Sequence, residues 1–331
     1  MTTKHTYQAL ARVIVLALAL CLPGRAAASY GWPVKPFDRQ HPVRGTFGDP
    51  RTIFQAPPTL VGLYHGSGSF SFHMGVDICA PDGTPVYPVA DGTVTHFNAE
   101  KVVVDSGDGR RFEYWHIRAA VLVGQRVTAR KTVLGRILRG AGHVHLTEIR
   151  DQRLVNPLLR GHLTPYSDTT APHVDSISFH TADDSPALMP GFVTGRVSVL
   201  VRAADSAPLP VPGQWADMPV TPNLISWRIE MLGGKAVRPE RIAWDTRFTL
   251  PPNTAFWSYY ARGTYQNMAV FSPHYSWAQP GSYVFRLTSL DTRRLHDGVY
   301  RLVVTAADER GNHSSSSVVF CIHNRPGWAG V

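Results

Sequence analysis

Three short stretches of the chain hold residues able to do chemistry: Phe72-His73-Met74-Gly75-Val76-Asp77-Ile78, Tyr114-Trp115-His116-Ile117 and Gly142-His143-Val144-His145-Leu146. Successive side chains of a strand alternate faces, so His143 and His145 point to one side while Val144 points to the other. His73 and Asp77 are an even number apart and share a face as well, provided Gly75 leaves the pleat intact. Polar imidazoles flanking an apolar residue are an odd choice for a core strand and a sensible one for the wall of a metal site. Zinc takes neutral imidazole nitrogen and carboxylate oxygen, and a catalytic zinc keeps three protein ligands and one open position. Four histidines and one aspartate exceed that need. Three can bind the metal, which leaves two imidazoles beside it to accept or donate protons near neutral pH. With 15 histidines in the chain, an isolated H-x-H says little. The joint pattern says more.

The elements that must position these residues read as short strands and turns. Strands are expected at Val86 to Val94, Lys101 to Asp105, Arg111 to Ile117 and Val133 to Leu138, with turns at Asp82-Gly83, Asp91-Gly92 and Asp108-Gly109. No long helical periodicity occurs. Residues 156–172, rich in proline and threonine, read as a join between domains. Beyond it, Gly195 to Asp205 and Asp297 to Asp308 alternate apolar and polar residues, and each ends in Ala-Ala-Asp. Gly311-Asn312 turns into a last strand, Ser315 to Ile322. This rhythm loosely resembles an immunoglobulin-like or fibronectin-like β-sandwich. Between these strands lie Trp257, Tyr259, Tyr260, Tyr265, Phe271, Tyr275 and Trp277. They read as core plus an elaborated loop in preference to a carbohydrate-binding surface.

The start of the chain reads as a secretory signal peptide. Lys4 and Arg12 precede the apolar run Val13 to Leu22, too short to span a bilayer, and Ala26-Ala27-Ala28 offers a cleavage site. A lipid anchor on Cys21 is the rival, disfavoured by the bulky Leu20 before it. Cleavage removes Lys4, Arg12 and Arg25 and no acid, leaving 30 basic against 24 acidic groups, a net +6 instead of +9. That modest excess favours polyanionic surfaces such as bacterial wall. Without a basic stripe or base-stacking motif, nucleic acid is not expected as a partner. Cys79 and Cys321 sit in apolar strands of different expected domains and read as small buried hydrophobes, with an interdomain disulfide as the alternative. His65 and His96 are expected in solvated loops. A serine hydrolase is disfavoured, because no G-x-S-x-G elbow occurs.

The joint pattern resembles lysostaphin-type and LytM-type zinc metallopeptidases. The likeness runs through Phe72 to Tyr87, Ala90 to Val94, Tyr114-x-His116, Val123-Gly-Gln-x-Val127, His143-x-His145-x-x-Glu148 and Asn156-Pro157. Upstream, Gly45-Thr-Phe-Gly48 and Arg51 fit too, so it covers roughly Pro42 to Leu158. It implies one zinc ion held by His73, Asp77 and His145, with His143 and His116 beside the attacking water as the catalytic histidines. It also implies peptidoglycan as substrate. Two departures touch the groove walls: Arg139-Gly-Ala-Gly precedes the H-x-H pair with Leu146-Thr147 after it, and the strand after Val94 lacks a glycine-rich insert. The expected architecture is all-β: a signal peptide (1–28), an antiparallel-sheet zinc peptidase domain (29–165) and a β-sandwich accessory domain (170–325). A secreted or envelope-located peptidoglycan endopeptidase without a membrane anchor follows. The alternative is a non-catalytic wall-binding or amidase-activating factor.

Overall fold

The structure, a computed structural model, describes residues 29–54, 68–181, 187–268 and 279–324. The expected signal peptide with Cys21, His65, and the aromatics Phe271, Tyr275 and Trp277 lie outside them. Among the described residues no helix is long and apolar enough to cross a membrane.

The first half is built from β1 (Val43–Gly45), β2 (Pro50–Phe54), β3 (Gly68–Phe72), β4 (Val76–Cys79), β5 (Pro85–Val86), β6 (Gly92–Phe97) and β7 (Lys101–Asp105). It continues with β8 (Arg110–Trp115), β9 (Ile117–Ala119), β10 (Arg126–Val127), β11 (Gly135–Ile137), β12 (His143–Arg150) and β13 (Arg153–Val155). The main sheet runs β1-β4-β12-β8-β7-β6-β10, with β13 added to β12, and every pairing is antiparallel. Val76, Ile78, Val102, Val104, Phe112, Tyr114, Val144 and Leu146 point from its central strands into one buried cluster. Alternation therefore frees the other face of β12 for His143 and His145.

The second half contains β14 (His173–Thr181), β15 (Ala187–Leu188), β16 (Arg196–Ala204), β17 (Leu224–Met231), β18 (Ala236–Asp245), β19 (Val284–Asp291), β20 (Gly298–Ala307) and β21 (His313–Ile322). They form two antiparallel sheets, β15-β14-β16-β19 and β18-β17-β20-β21. One apolar cluster drawn from both fills the space between them, including Val199, Val201, Ile225, Trp244, Phe285, Leu302 and Val304. The protein is all-β with antiparallel sheets, as the alternation required.

Several details depart from the sequence reading. Val86 to Val94 is not one strand: β5 ends at Val86, Pro88 follows, and pairing resumes at Gly92. Proline cannot donate to a ladder, which explains the break. His96 lies in β6 instead of a loop, although it is exposed as expected. Tyr260 and Tyr265 are fully buried, and Trp257 and Tyr259 pack against the cluster, so the described aromatics of this segment are core. Cys79 and Cys321 are both free, the first buried and the second half-buried.

The two halves interlock. Phe72, at the end of β3, is 1% exposed and belongs to the sandwich cluster, its ring 5.5 Å from Trp244 and 5.4 Å from Phe256. Segment 44–52 is clamped by the second half through hydrogen bonds. Thr221 N–H donates to Asp49 Oδ1 (2.8 Å), Asn223 Nδ2 to the Phe47 carbonyl (3.0 Å) and Asn267 Nδ2 to the Arg44 carbonyl (2.8 Å). Tyr260 Oη donates to the Gly48 carbonyl at 3.1 Å.

The Ala-Ala-Asp repeats meet at the join. Oxygens of Asp168, Asp205 and Asp308 lie within 4.8 Å of one another, and Asp205 and Asp308 are buried. Burial pushes Asp205 up to about 8, and the neighbouring carboxylates push the same way. Unfolded, it ionises near 4. A carboxyl that keeps its proton in the fold stabilises most below the unfolded pKa, and that contribution fades as pH rises from about 4 towards about 8.

Two measurements test this packing. Phe72→Ala is expected to cost about 3–5 kcal/mol by denaturant unfolding, the usual range for a buried phenylalanine; a loss under about 1 kcal/mol would mean the hairpin is not anchored there. Asp205→Asn is expected to stabilise the chain more at pH 8 than at pH 5, by on the order of 1 kcal/mol or more without added divalent cations. An equal effect at both pH values would contradict the raised pKa.

Candidate metal centre

His73 follows β3, Asp77 sits in β4, and His143 and His145 lie on β12, whose register sets His145 beside Asp77 on one flank and Trp115 on the other. His116 occupies the step between β8 and β9 with φ 63°, a left-handed backbone that costs a non-glycine residue energy. All five sequence-derived residues come together. The His73–Asp77 pair does so differently from the expectation of one intact pleat. The chain leaves β3 after Phe72 and re-enters a strand at Val76, so a bend, not strand parity, brings both side chains inward. Gly75 permits that bend to sit tight: a Cβ there would stand 2.1 Å from the Leu146 carbonyl oxygen and 2.9 Å from His145 Nε2.

Three donor atoms converge. His73 Nε2 lies 2.8 Å from His145 Nδ1, and each is 3.0 Å from Asp77 Oδ1. Each ring has a hydrogen-bond partner at its rear. His73 Nδ1–H donates to the Thr46 carbonyl at 2.8 Å, so Nε2 carries a lone pair. His145 Nε2 lies 2.8 Å from Thr147 Oγ1, and when that nitrogen carries the ring proton Nδ1 is bare in the same way. Burial, reinforced by Arg51, lowers the His73 pKa to about 3, so the ring stays neutral. With the His145 proton on Nε2, two lone pairs and a carboxylate oxygen face one another. A metal cation at their meeting point makes such a trio favourable, and two imidazole nitrogens with one carboxylate are a zinc donor set.

Asp77 divides its oxygens. Oδ1 faces the histidines, while Oδ2 accepts from Arg51 Nη2 (3.1 Å) and lies 3.5 Å from Arg44 Nη2. Burial alone would raise its pKa; the His73 and His143 rings and Arg44 overcome this and hold it well below the carboxylate range. His143 donates from Nδ1 to the Ala141 carbonyl (2.5 Å), leaving Nε2 as an acceptor that takes an N–H from Arg44 at 3.0 Å. Burial lowers the His143 pKa to about 4. The His116 ring lies 4.6 Å from that of His143 and 6.5 Å from that of His145, and burial lowers its pKa too. Gly142, with φ 63°, turns the chain into β12, and the loop before it is tied by Asp82, which accepts from Gly140 and Gly142 N–H.

Some participants were not legible beforehand. Thr147 sits two residues past His145 on the same face, and that parity was the available signal. Trp215 had none, being remote in sequence. Its ring stacks on the Arg44 guanidinium at 4.1 Å and lies 6.5 Å from His143. Glu148, part of the recognised motif, points away from the centre. It is fully buried and accepts from Tyr30 Oη (2.6 Å) and His162 Nδ1 (2.7 Å), tying the chain's start and the join to the sheet. A pocket of about 310 Å³, lined by Arg44, Arg51, Asp77, Trp215, Gln266 and Asn267, opens beside the centre between the two halves.

An antiparallel sheet thus presents a His-Asp-His donor set able to hold a metal ion, beside two further imidazoles. Residues 71–157 match the model of Peptidase family M23, so this segment carries the module of the family recognised from its motifs. No curated protein matches the chain. Among solved structures, it is similar to Csd3 of Helicobacter pylori at 20% identity, over 43% of this chain and 35% of that one, with a TM-score of 0.28. A zinc containing peptidase from Vibrio cholerae is 24% identical over 39% of each chain, with a TM-score of 0.29. The catalytic domain of lysostaphin from Staphylococcus simulans is 22% identical over 31% of this chain and 81% of that one, with a TM-score of 0.23. The match thus spans little more than a third of the first two proteins, and the family assignment rests on the model and the motif residues.

Thr147→Val keeps the shape but removes the acceptor behind His145. Zinc retention, read by competition with a chromophoric chelator, is expected to weaken about 10–100-fold, the range for a lost partner behind a ligand. Unchanged retention would show that the Thr147 hydroxyl does not orient the ring.

Proposed function

We propose that the protein is an exported zinc-dependent endopeptidase that hydrolyses peptide bonds in the stem peptides or cross-bridges of peptidoglycan. The observation that carries this reading is the convergence of His73 Nε2, Asp77 Oδ1 and His145 Nδ1, with His143 and His116 alongside, inside the segment matching Peptidase family M23. In this reading the three converging atoms hold one zinc ion. Zinc in that position supplies Lewis acidity, which acidifies a water molecule and polarises a carbonyl. His143 is the base. Its Nδ1–H is committed to Ala141, so Nε2 is the atom that takes the proton. His116 stands on the same side, where it steadies the developing oxyanion and returns a proton to the leaving amine. Arg44 rests on His143 Nε2 and has to move off before that nitrogen accepts a proton.

The proposal extends to domain organisation, with a peptidase domain at 29–165 and an accessory domain at 170–325. Leaving aside the short β15, the accessory strands in order fall as first, second and fifth in one sheet and fourth, third, sixth and seventh in the other. That arrangement supports an immunoglobulin-like or fibronectin-like label.

A second reading, a wall-binding or amidase-activating factor, is favoured by one observation. Arg44 occupies the nitrogen that has to act as base and is covered by Trp215.

The deciding experiment incubates protein beginning at Ser29 with purified peptidoglycan, counting new amines and identifying fragments by mass. Release is expected from the parent, abolished by chelator, restored by zinc and absent in His145→Ala. Full activity of His145→Ala or of the chelated enzyme would sink the mechanism. Zinc retention and wall binding without release would select the second reading.

A further inference from the structure

A groove of about 350 Å³ lies where the edge strands β18 and β19 of the two accessory sheets approach each other, remote in sequence from the metal centre. Arg196, Arg238, Arg241 and Arg294 line it, over the buried side chain of Trp227. Arg196, Arg241 and Arg294 are exposed and Arg238 is half-buried. None of the four guanidinium groups makes a hydrogen bond or ion pair among the described residues, although the charge of Arg196 acts on Asp291. The one acid in the lining is Asp291, and both its oxygens are taken by Arg293, at 2.8 and 2.9 Å. The Ser289 and Thr288 hydroxyl positions complete a rim that offers more donors than acceptors.

Four like charges gathered in one groove repel one another within a screening length. Soluble surfaces ordinarily intersperse signs. The arrangement therefore implies an anionic occupant. Arginine presents a planar fork of donors that matches phosphate or carboxylate oxygens in pairs. A single small anion would leave most of this charge unmatched. A polymer with repeated oxyanions would match it along the groove.

We infer that the β18–β19 groove of the accessory domain binds a polyanionic envelope polymer bearing phosphodiester groups, tethering the protein to its substrate surface. Uronate carboxylates are the other source of the same oxyanion chemistry. Tethering to substrate rests on the peptidase reading, but the groove uses neither His73, Asp77 nor His145, so polymer binding is measured apart from it.

The test uses the chain from Ser29 onward with immobilised polyglycerol phosphate, polygalacturonate and duplex DNA at matched charge. Binding of the parent to polyglycerol phosphate is expected to be the tightest and to fall between about 50 and about 500 mM salt. Arg238→Gln/Arg241→Gln is expected to lose at least about tenfold in that affinity, with an unchanged melting temperature and unchanged zinc content. Arg238→Lys/Arg241→Lys keeps the charge and loses the forks, and is expected to fall between the two. Variant binding within twofold of the parent would overturn the site. Tighter binding of polygalacturonate or of DNA would overturn the phosphodiester polymer as occupant.

Discussion

The structure depends on a repulsion that has to be offset. Two imidazole lone pairs and a carboxylate oxygen are held 2.8–3.0 Å apart in a buried position. A cation at the meeting point makes that arrangement favourable, and the surroundings hold the three atoms in place. The Thr46 carbonyl holds the His73 ring proton at the rear, so its facing nitrogen remains bare, and the Thr147 hydroxyl stands behind His145. Gly75 lets β4 approach β12 so closely that any side chain would strike the Leu146 carbonyl. Arg51 and Arg44 draw charge onto the far oxygen of Asp77 and leave the near one for a cation. Each of these contacts has a clear role once the cation is considered, and little purpose without it.

The enforcement does not come from one half of the molecule. Thr46 sits in segment 44–52, whose backbone carbonyls and Asp49 carboxylate are bonded by Asn223, Tyr260, Asn267 and Thr221 of the second half. Phe72, the residue before His73, is a core residue of the sandwich. The position of His73 is thereby coupled to the packing of the second half, which contributes none of the three converging atoms. Buried backbone groups on that segment need partners, and the second half supplies them.

The types of residue at the site were readable because strand parity and ligand chemistry act locally. H-x-H on one strand face follows from period two, and β12 obeys it. Parity failed at His73 and Asp77, where the pleat breaks around Gly75 and a bend takes over. The all-β character and strands such as Lys101–Asp105 were legible from alternation. The break after Val86 was signalled by Pro88 and passed over. Interlocking of the halves left no local trace, since Phe72 looks like any apolar residue before a motif and pairs with Trp244 across 172 positions of chain. The Ala-Ala-Asp repeats stood out by pattern alone, and only the fold shows their aspartates converging with Asp168.

Trp215 and Arg44 show what lies beyond motif reading. The residues that match the family build the metal centre, yet the walls of the adjoining pocket come largely from outside that match. Trp215, Gln266 and Asn267 border it from the accessory half, and Arg44 lies upstream of the matched span. A hypothetical Cβ at Gly142 would lie 3.5 Å from the Trp215 ring, in ordinary contact, so the unusual Gly-Ala-Gly approach to His143 and Trp215 of the second half share one boundary. A side chain at 142 would be strained by its φ, while its Cβ would rest in ordinary contact with that ring. The departure seen in the sequence and the indole brought by the fold are two sides of one surface. Any peptide reaching His143 from this side meets a wall that neither half builds alone.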